Sequence, residues 1–355
     1  MAIPSRPNSH IVAVAARVLA GCAAAVAMMA LSGATQAALA HTTEAVPPDR
    51  LLSVWKADPW VLISALLAGW IYARGLGHLN EIGARTGRGP VVGRARVAAF
   101  AAGLLTLVLA LSSPLDTATA TVFSAHMIQH VLLVAVAPPL LLLGLPTTVM
   151  LNGLPRSWRH PLATLPHRVP GLAGLIGLLT IPAIAWFLHA GTLWAWHIPW
   201  LYDAAVQNER LHALEHATFV ITAFLYWWTI VPAGAHARNA VGPAMGILSV
   251  FAMGMQSAAL GIILTFWGTP IYAVYVGRSE LWHISALSDQ RLAGLIMWIP
   301  AGSVYVVAAM LLLKSWFHDD RADEVRRETL ANATPPLPVE RQEQHRLGAA
   351  GTPVS

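Results

Sequence analysis

Two short segments pair histidines four residues apart around a polar residue: His126-Met127-Ile128-Gln129-His130 and His212-Ala213-Leu214-Glu215-His216. On an α-helix, positions i and i+4 share a face with Cβ atoms about 5–6 Å apart, which lets two imidazoles hold one ion. Position i+3 adds an oxygen, either as a further ligand or as a group that orients the ligands. With 15 His in 355 residues, roughly half of one such pair arises by chance, so two copies with the same embedded polar residue are a modest excess. The single cysteine, Cys22, excludes an internal disulfide and a thiolate cluster, leaving His, Met and carboxylates as ligands. Met127, Met253 and Met255 are soft donors that would favour Cu(I), against the commoner packing role of methionine in apolar helices. His212 to His216 also matches the H-x-x-E-H pattern of inverzincin proteases, with Glu215 as base. Gln129 in the duplicate has no basic carboxylate, and no soluble domain surrounds either copy, so an enzyme is not expected.

The elements that carry these residues are membrane helices. Hydrophobic residues form 56% of the chain and charged residues 11%, with a mean hydropathy of +0.58, well outside the soluble globular range. Apolar runs long enough to cross about 30 Å of hydrocarbon lie near 59–76, 95–112, 122–144, 170–190, 213–232, 243–266 and 292–313. No segment alternates with period two, so the expected fold is all-α: a polytopic membrane protein of seven transmembrane helices. The net charge of +5 does not imply nucleic acid as a partner, because the basic residues are scattered through short loops. They orient the spans instead. Arg74, Arg85, Arg88, Arg94 and Arg96 follow the first span; Arg156, Arg159 and Arg168 follow the third; Arg238 follows the fifth. Basic loops face the cytoplasm, which gives an N-out, C-in topology with membrane lipid around the bundle. Trp194, Trp196, Trp200 and Tyr202 then read as an outer interfacial belt, and Trp227, Trp228 and Trp316 as an inner one.

Residues 1–40 read as a signal peptide or signal anchor, with Arg6 and Arg17 before an apolar stretch and Ala38-Leu39-Ala40 as a cleavage site. Residues 41–58 form a short exported segment, 59–314 the membrane domain, and 315–355 a charged, Pro-containing cytoplasmic tail expected to be disordered. In this topology both His pairs open helices on the outer side, at the same depth. His189, His197 and His283 fall on that side too, with Asp116 in the loop before the third helix. Ionisable groups in a bilayer usually face partners or a cavity. Glu215 is the costliest of them and calls for a cation or a proton shared with a histidine. Asp116 and Gln129 also admit plain structural roles, as a cap and as an amide bridge between helices. Pro138-Pro139 and Pro182 are expected to kink their helices.

Several ordered segments carry a family resemblance: Ser113-Pro114-Leu115-Asp116, the His126–His130 turn running into Pro138-Pro139, Leu193 to Asp203 (LWAWHIPWLYD), Leu211 to His216, and Leu287 to Trp298 (LSDQRLAGLIMW). Over about residues 55–315 the chain resembles the multi-pass CtaG-type cytochrome c oxidase assembly factors. The resemblance implies a role in maturing a haem-copper oxidase in the bacterial inner membrane, by supplying or inserting copper at its buried centre. Its partners would be the oxidase subunit that carries that copper and a copper donor protein. On this reading His126, His130, His212 and His216 bind one copper ion near the outer face, supported by Asp116, Gln129, Glu215, His189, His197 and His283. The alternatives are a haem protein, clamped by one His from each helix, and a metal-free transporter or scaffold.

Overall fold

The computed structural model describes residues 45–55, 57–87, 89–231 and 242–333, and every regular element among them is helical. The signal-like segment 1–40 and the cleavage site fall outside the described residues, as do 334–355. The chain divides into two compact units, Met1–Ala309 and Met310–Ser355; all residues of the site lie in the first.

The main helices are α1 (Pro59–Arg85), α2 (Arg94–Leu111), α3 (Phe123–Val131), α4 (Ala137–Leu143), α5 (Pro146–Gly153), α6 (Arg156–Arg168), α7 (Leu172–Leu179), α8 (Pro182–Trp196), α9 (Pro199–Gln207), α10 (Glu209–Ile230), α11 (Pro243–Phe266) and α12 (Ala286–Ala333). Among the described residues, five segments are long and apolar enough to cross a membrane: Pro59–Arg85, Arg94–Ala118, Phe123–Leu143, Pro243–Phe266 and Ala286–Phe317. The pair α7 and α8, bent by 74°, makes a sixth if it counts as one span. Pro182 opens α8, and a proline at that place cannot continue the hydrogen-bond ladder of the preceding helix. Large apolar side chains stand outward on these helices, among them Leu66, Trp70, Phe187, Phe251 and Phe266. Such a surface suits lipid and not water. The protein is a multi-pass membrane protein.

The 22-residue α10 matches the fifth expected span but is less apolar than the others, because Glu215, His216 and three aromatics near its end dilute it. Burial explains this. Glu215, Phe219, Val220 and the run Ala223–Trp227 are all buried, so the helix meets protein on most sides and is released from the need to dissolve in lipid. Trp227 therefore belongs to the core rather than to an interfacial belt. It stacks on Tyr305 with ring centroids 5.7 Å apart, and its indole Nε1–H donates to the Val134 carbonyl at 3.0 Å. That carbonyl is the one orphaned by Pro138, which lacks the N–H that would reach back four residues. The same two prolines, Pro138 and Pro139, follow a π-helical turn at Leu132–Val136, and α10 packs against this irregular stretch.

Small residues allow other close approaches. A Cβ on Gly261 of α11 would lie 2.8 Å from the Gly294 carbonyl of α12, so the two backbones touch there. In the second unit the described residues Met310–Ala333 are helical, where the sequence reading expects a disordered tail from residue 315. Arg321–Ala333 holds three Ala, three Arg and two Glu, all strong helix formers.

Candidate metal centre

The site forms at one end of the bundle, where α3, α10 and α12 begin. The start of α3 carries His126 and His130 one turn apart. Its N-cap residue, Val122, has no side chain able to cap. Asp289 of α12 does so from 166 residues away, its carboxylate accepting from the Phe123 N–H at 2.6 Å and the Ser124 N–H at 3.0 Å. The neighbouring Gln290 fixes the loop after α11: its Oε1 accepts from Ile271 N–H at 2.6 Å and its Nε2 donates to the Leu264 and Thr269 carbonyls. On α10, Asn208 caps the first turn by accepting from Arg210 N–H at 3.0 Å and Leu211 N–H at 3.2 Å. This places His212 in the first turn and Glu215 and His216 in the second.

Both pairs face each other. The Nε2 atoms of His126 and His212 are 3.2 Å apart. Ring centroids are 4.3 Å apart for His126 and His130, 4.2 Å for His212 and His216, 5.6 Å for His130 and His216, and 6.2 Å for His126 and His216. Glu215 is fully buried, with its oxygens 3.6 Å from His130 Nε2 and 4.0 Å from His126 Nε2. Ligand atoms of His126, His130 and His216 all lie within 4.8 Å of one another, as do those of His126, His212 and Glu215.

The donor set fits a metal ion. His130 Nε2, His216 Nε2 and both Glu215 oxygens are buried without a hydrogen-bond partner among the described residues. Buried polar groups are almost always satisfied, and an ionised carboxylate in an apolar interior needs a cation or a proton beside it. An imidazole–metal bond of about 2.0–2.1 Å puts tetrahedral nitrogens about 3.3 Å apart, close to the 3.2 Å between His126 and His212. The same spacing leaves no room for a porphyrin plane between those two nitrogens, which must ligate from opposite faces of a haem.

Two tyrosines back the site. His126 Nδ1 lies 2.7 Å from the Tyr202 hydroxyl and 2.9 Å from that of Tyr275; the hydroxyls are 3.2 Å apart, and Tyr275 donates onward to the Thr119 carbonyl at 3.0 Å. Burial pushes both hydroxyls well above the usual phenol range, so they stay protonated. Tyr202 is wholly buried, not part of an interfacial belt; Trp196 is buried as well, while Trp194 and Trp200 are exposed. Pro199 starts the new helix α9 after Trp196, and α9 packs on α10 with Tyr202 turned inward. The Asp203 carboxylate accepts from the Ala273 and Val274 N–H groups and so holds the loop that presents Tyr275.

The other expected site residues scatter around this centre. Gln129 turns away from the imidazoles: its Nε2 donates to Asp116 Oδ1 at 2.7 Å and to the Ala110 carbonyl at 2.8 Å. Asp116 and Gln129 thus tie α3 to the end of α2. His189 is buried in α8 beside Thr222, 3.1 Å from its hydroxyl, and stacks on Tyr226. His197 is buried next to the cluster, its Nδ1 2.7 Å from the Leu193 carbonyl; burial pulls this imidazole down to about 4, and that hydrogen bond offsets part of the effect. His283 is exposed at a left-handed residue, φ 58°, and is not in either group of clustered ligand atoms among the described residues. Met255 is exposed and Met253 is buried against Gln256, whose Nε2 donates to its sulfur. The segment before α1 closes over the same end: the Val46 N–H donates to Thr121 Oγ1 and the Val46 carbonyl accepts from the Trp282 indole, both at 2.8 Å.

Fold and site together define a multi-pass helical membrane protein with a buried imidazole–carboxylate cluster at one end of its bundle. The chain belongs to the cytochrome c oxidase caa3 assembly factor family (Caa3_CtaG), whose profile matches residues 70–319. Among curated relatives, an uncharacterised protein of Mycobacterium leprae is 27% identical over 302 residues, covering 81% of this chain and 43% of that protein. Uncharacterised proteins of Mycobacterium bovis and Mycobacterium tuberculosis are each 26% identical over 298 residues, with the same coverage. The chain therefore spans less than half the length of these relatives. No solved structure matches it significantly.

Proposed function

We propose that this protein binds copper at the His126, His130, His212, His216 and Glu215 cluster and aids its insertion into a haem-copper oxidase of the caa3 type. The observation that carries the reading is the convergence of four imidazoles on a buried carboxylate, with metal-ligating atoms left unpartnered. Family membership supplies the oxidase. The copper is cargo: the histidines hold and release it, Glu215 offsets its charge, and Tyr202 and Tyr275 orient His126 through its Nδ1.

The chain crosses the membrane seven times on this reading: the five long apolar segments, the bent pair α7 and α8, and α10. The 22 residues of α10 span about 33 Å at 1.5 Å per residue. The basic loops then face the cytoplasm of a bacterium, and the cluster opens at the outer side of its inner membrane. Alkaline phosphatase and green fluorescent protein fusions after Ser112, Trp196 and Trp267 test this, with phosphatase activity expected at all three.

Copper content decides the function. The purified chain should retain more copper than the double variant His126→Ala/His216→Ala, and cells carrying that variant should assemble oxidase protein that is poor in copper. Equal copper in the purified variant and the parent, or copper-replete oxidase in those cells, would sink the proposal.

A further inference from the structure

Beside the cluster and one helical turn further along α3, a small cavity is lined by Met127, His130, His197, Ser257, Met297 and Tyr305, all buried. Met127, His130 and Val131 of α3, with Val134 of the π-helical turn that follows, line it at the i, i+3, i+4, i+7 spacing. His197 has a fixed tautomer. Its Nδ1 lies 2.7 Å from the Leu193 carbonyl, which can only accept, so Nδ1 carries the hydrogen and Nε2 is left with a lone pair. That Nε2 is buried and without a hydrogen-bond partner among the described residues, as are both ring nitrogens of His130. Two imidazoles and two thioethers, with no carboxylate among the lining residues, form a neutral, soft donor set. Thioether ligands select Cu(I) over harder divalent ions, and imidazole accepts it.

We propose that this cavity is a second, soft-donor site for Cu(I), contiguous with the four-histidine cluster through His130. His130 belongs to both places: its Nε2 lies 3.6 Å from Glu215, and the same ring lines the cavity. An ion moving between the two positions would exchange an all-nitrogen and carboxylate environment for one of sulfur and nitrogen while keeping one ligand. The site rests on the copper reading above but is a separate binding event, with Met127, Met297 and His197 as its own ligands; a neutral imidazole has one lone pair, so His130 serves one ion at a time.

Anaerobic titration of the purified full-length chain with Cu(I), against the chelator bicinchoninate, tests it together with copper K-edge X-ray absorption. The parent should bind two equivalents and show sulfur among the copper neighbours. Met127→Leu/Met297→Leu changes side-chain volume little and should bind one equivalent, with the sulfur scattering gone. His197→Phe should lose the same equivalent, and His126→Ala/His216→Ala should keep the sulfur-ligated one. A single equivalent in the parent, or two in the methionine double variant, overturns the second site and leaves the four-histidine reading standing. A parent that binds no copper removes both.

Discussion

The tyrosine pair behind His126 gives the sharpest test of the proposed metal centre. A metal on Nε2 requires the hydrogen of His126 on Nδ1, where the Tyr202 and Tyr275 oxygens lie at 2.7 and 2.9 Å. The hydroxyl hydrogens then run away from the ring, Tyr202 to Tyr275 across 3.2 Å and Tyr275 to the Thr119 carbonyl across 3.0 Å. Every donor in that chain is used. Without metal, the Tyr202 hydrogen can turn to Nδ1 while His126 Nε2 donates to His212 across 3.2 Å. Loss of a group that orients a ligating imidazole costs about 10–100-fold in metal affinity. Tyr202→Phe leaves the Tyr275 oxygen in reach, so about tenfold is expected; Tyr202→Phe/Tyr275→Phe strands Nδ1–H in a buried place, and about 100-fold or more is expected, some 2.7 kcal/mol. Chelator competition on the purified variants reads this directly, with elution on size exclusion as the check of folding. A double variant within twofold of the parent would refute the relay, and so would a single variant as damaged as the double one.

Glu215→Gln should weaken copper binding while leaving the metal-free protein as thermally stable or more so, because it removes a buried charge and keeps the volume; a clear fall in the unfolding temperature of the metal-free variant would contradict this. Asp289→Ala removes the acceptor for two N–H groups of α3 and should destabilise by about 1–2 kcal/mol, with faster hydrogen exchange at Phe123 and Ser124; unchanged exchange there would show that the cap is idle. Trp227→Phe keeps the stack on Tyr305 but strands the Val134 carbonyl, an expected cost of about 1–3 kcal/mol in detergent unfolding, and no loss would mean that another donor replaces the indole.

The two histidine pairs were legible because their chemistry is local: spacing of four on a helix puts both rings on one face whatever the rest of the chain does. The embedded polar residues were less so. Gln129 and Glu215 occupy the same position in the two turns, yet Gln129 points back to Asp116 and Ala110 while Glu215 enters the cluster, and only the packing of α2 against the α3–α4 segment decides this. Tyr202, Tyr275 and Asp289 act across 76, 149 and 166 residues of sequence, a distance over which periodicity carries no information. One signal was present: Val122 before the His126 turn cannot cap a helix, so a cap had to come from elsewhere. Five or six spans stand out by length and hydropathy, and α10 does not, because a helix enclosed by its neighbours is under no pressure to be apolar.

The placement of the cluster sets an electrostatic problem that its acidic residues answer. α3 and α10 both begin there, and each brings the positive end of a helix dipole, worth about half an elementary charge, to a place proposed for a cation. Asp289 sits on the first N–H groups of α3, where a carboxylate opposes that partial charge most directly. Glu209 occupies the first turn of α10, and Glu215 lies among the imidazoles themselves. A monovalent ion with Glu215 sums to zero formal charge, whereas a divalent ion leaves a net positive charge buried beside two helix N-termini. The cost of a buried unbalanced charge is several kcal/mol, enough to decide between oxidation states. With copper as the ion, as proposed above, this charge balance suits Cu(I) at the four histidines, and the proposed thioether cavity beside His130 is a position the same ion could reach without a change of oxidation state.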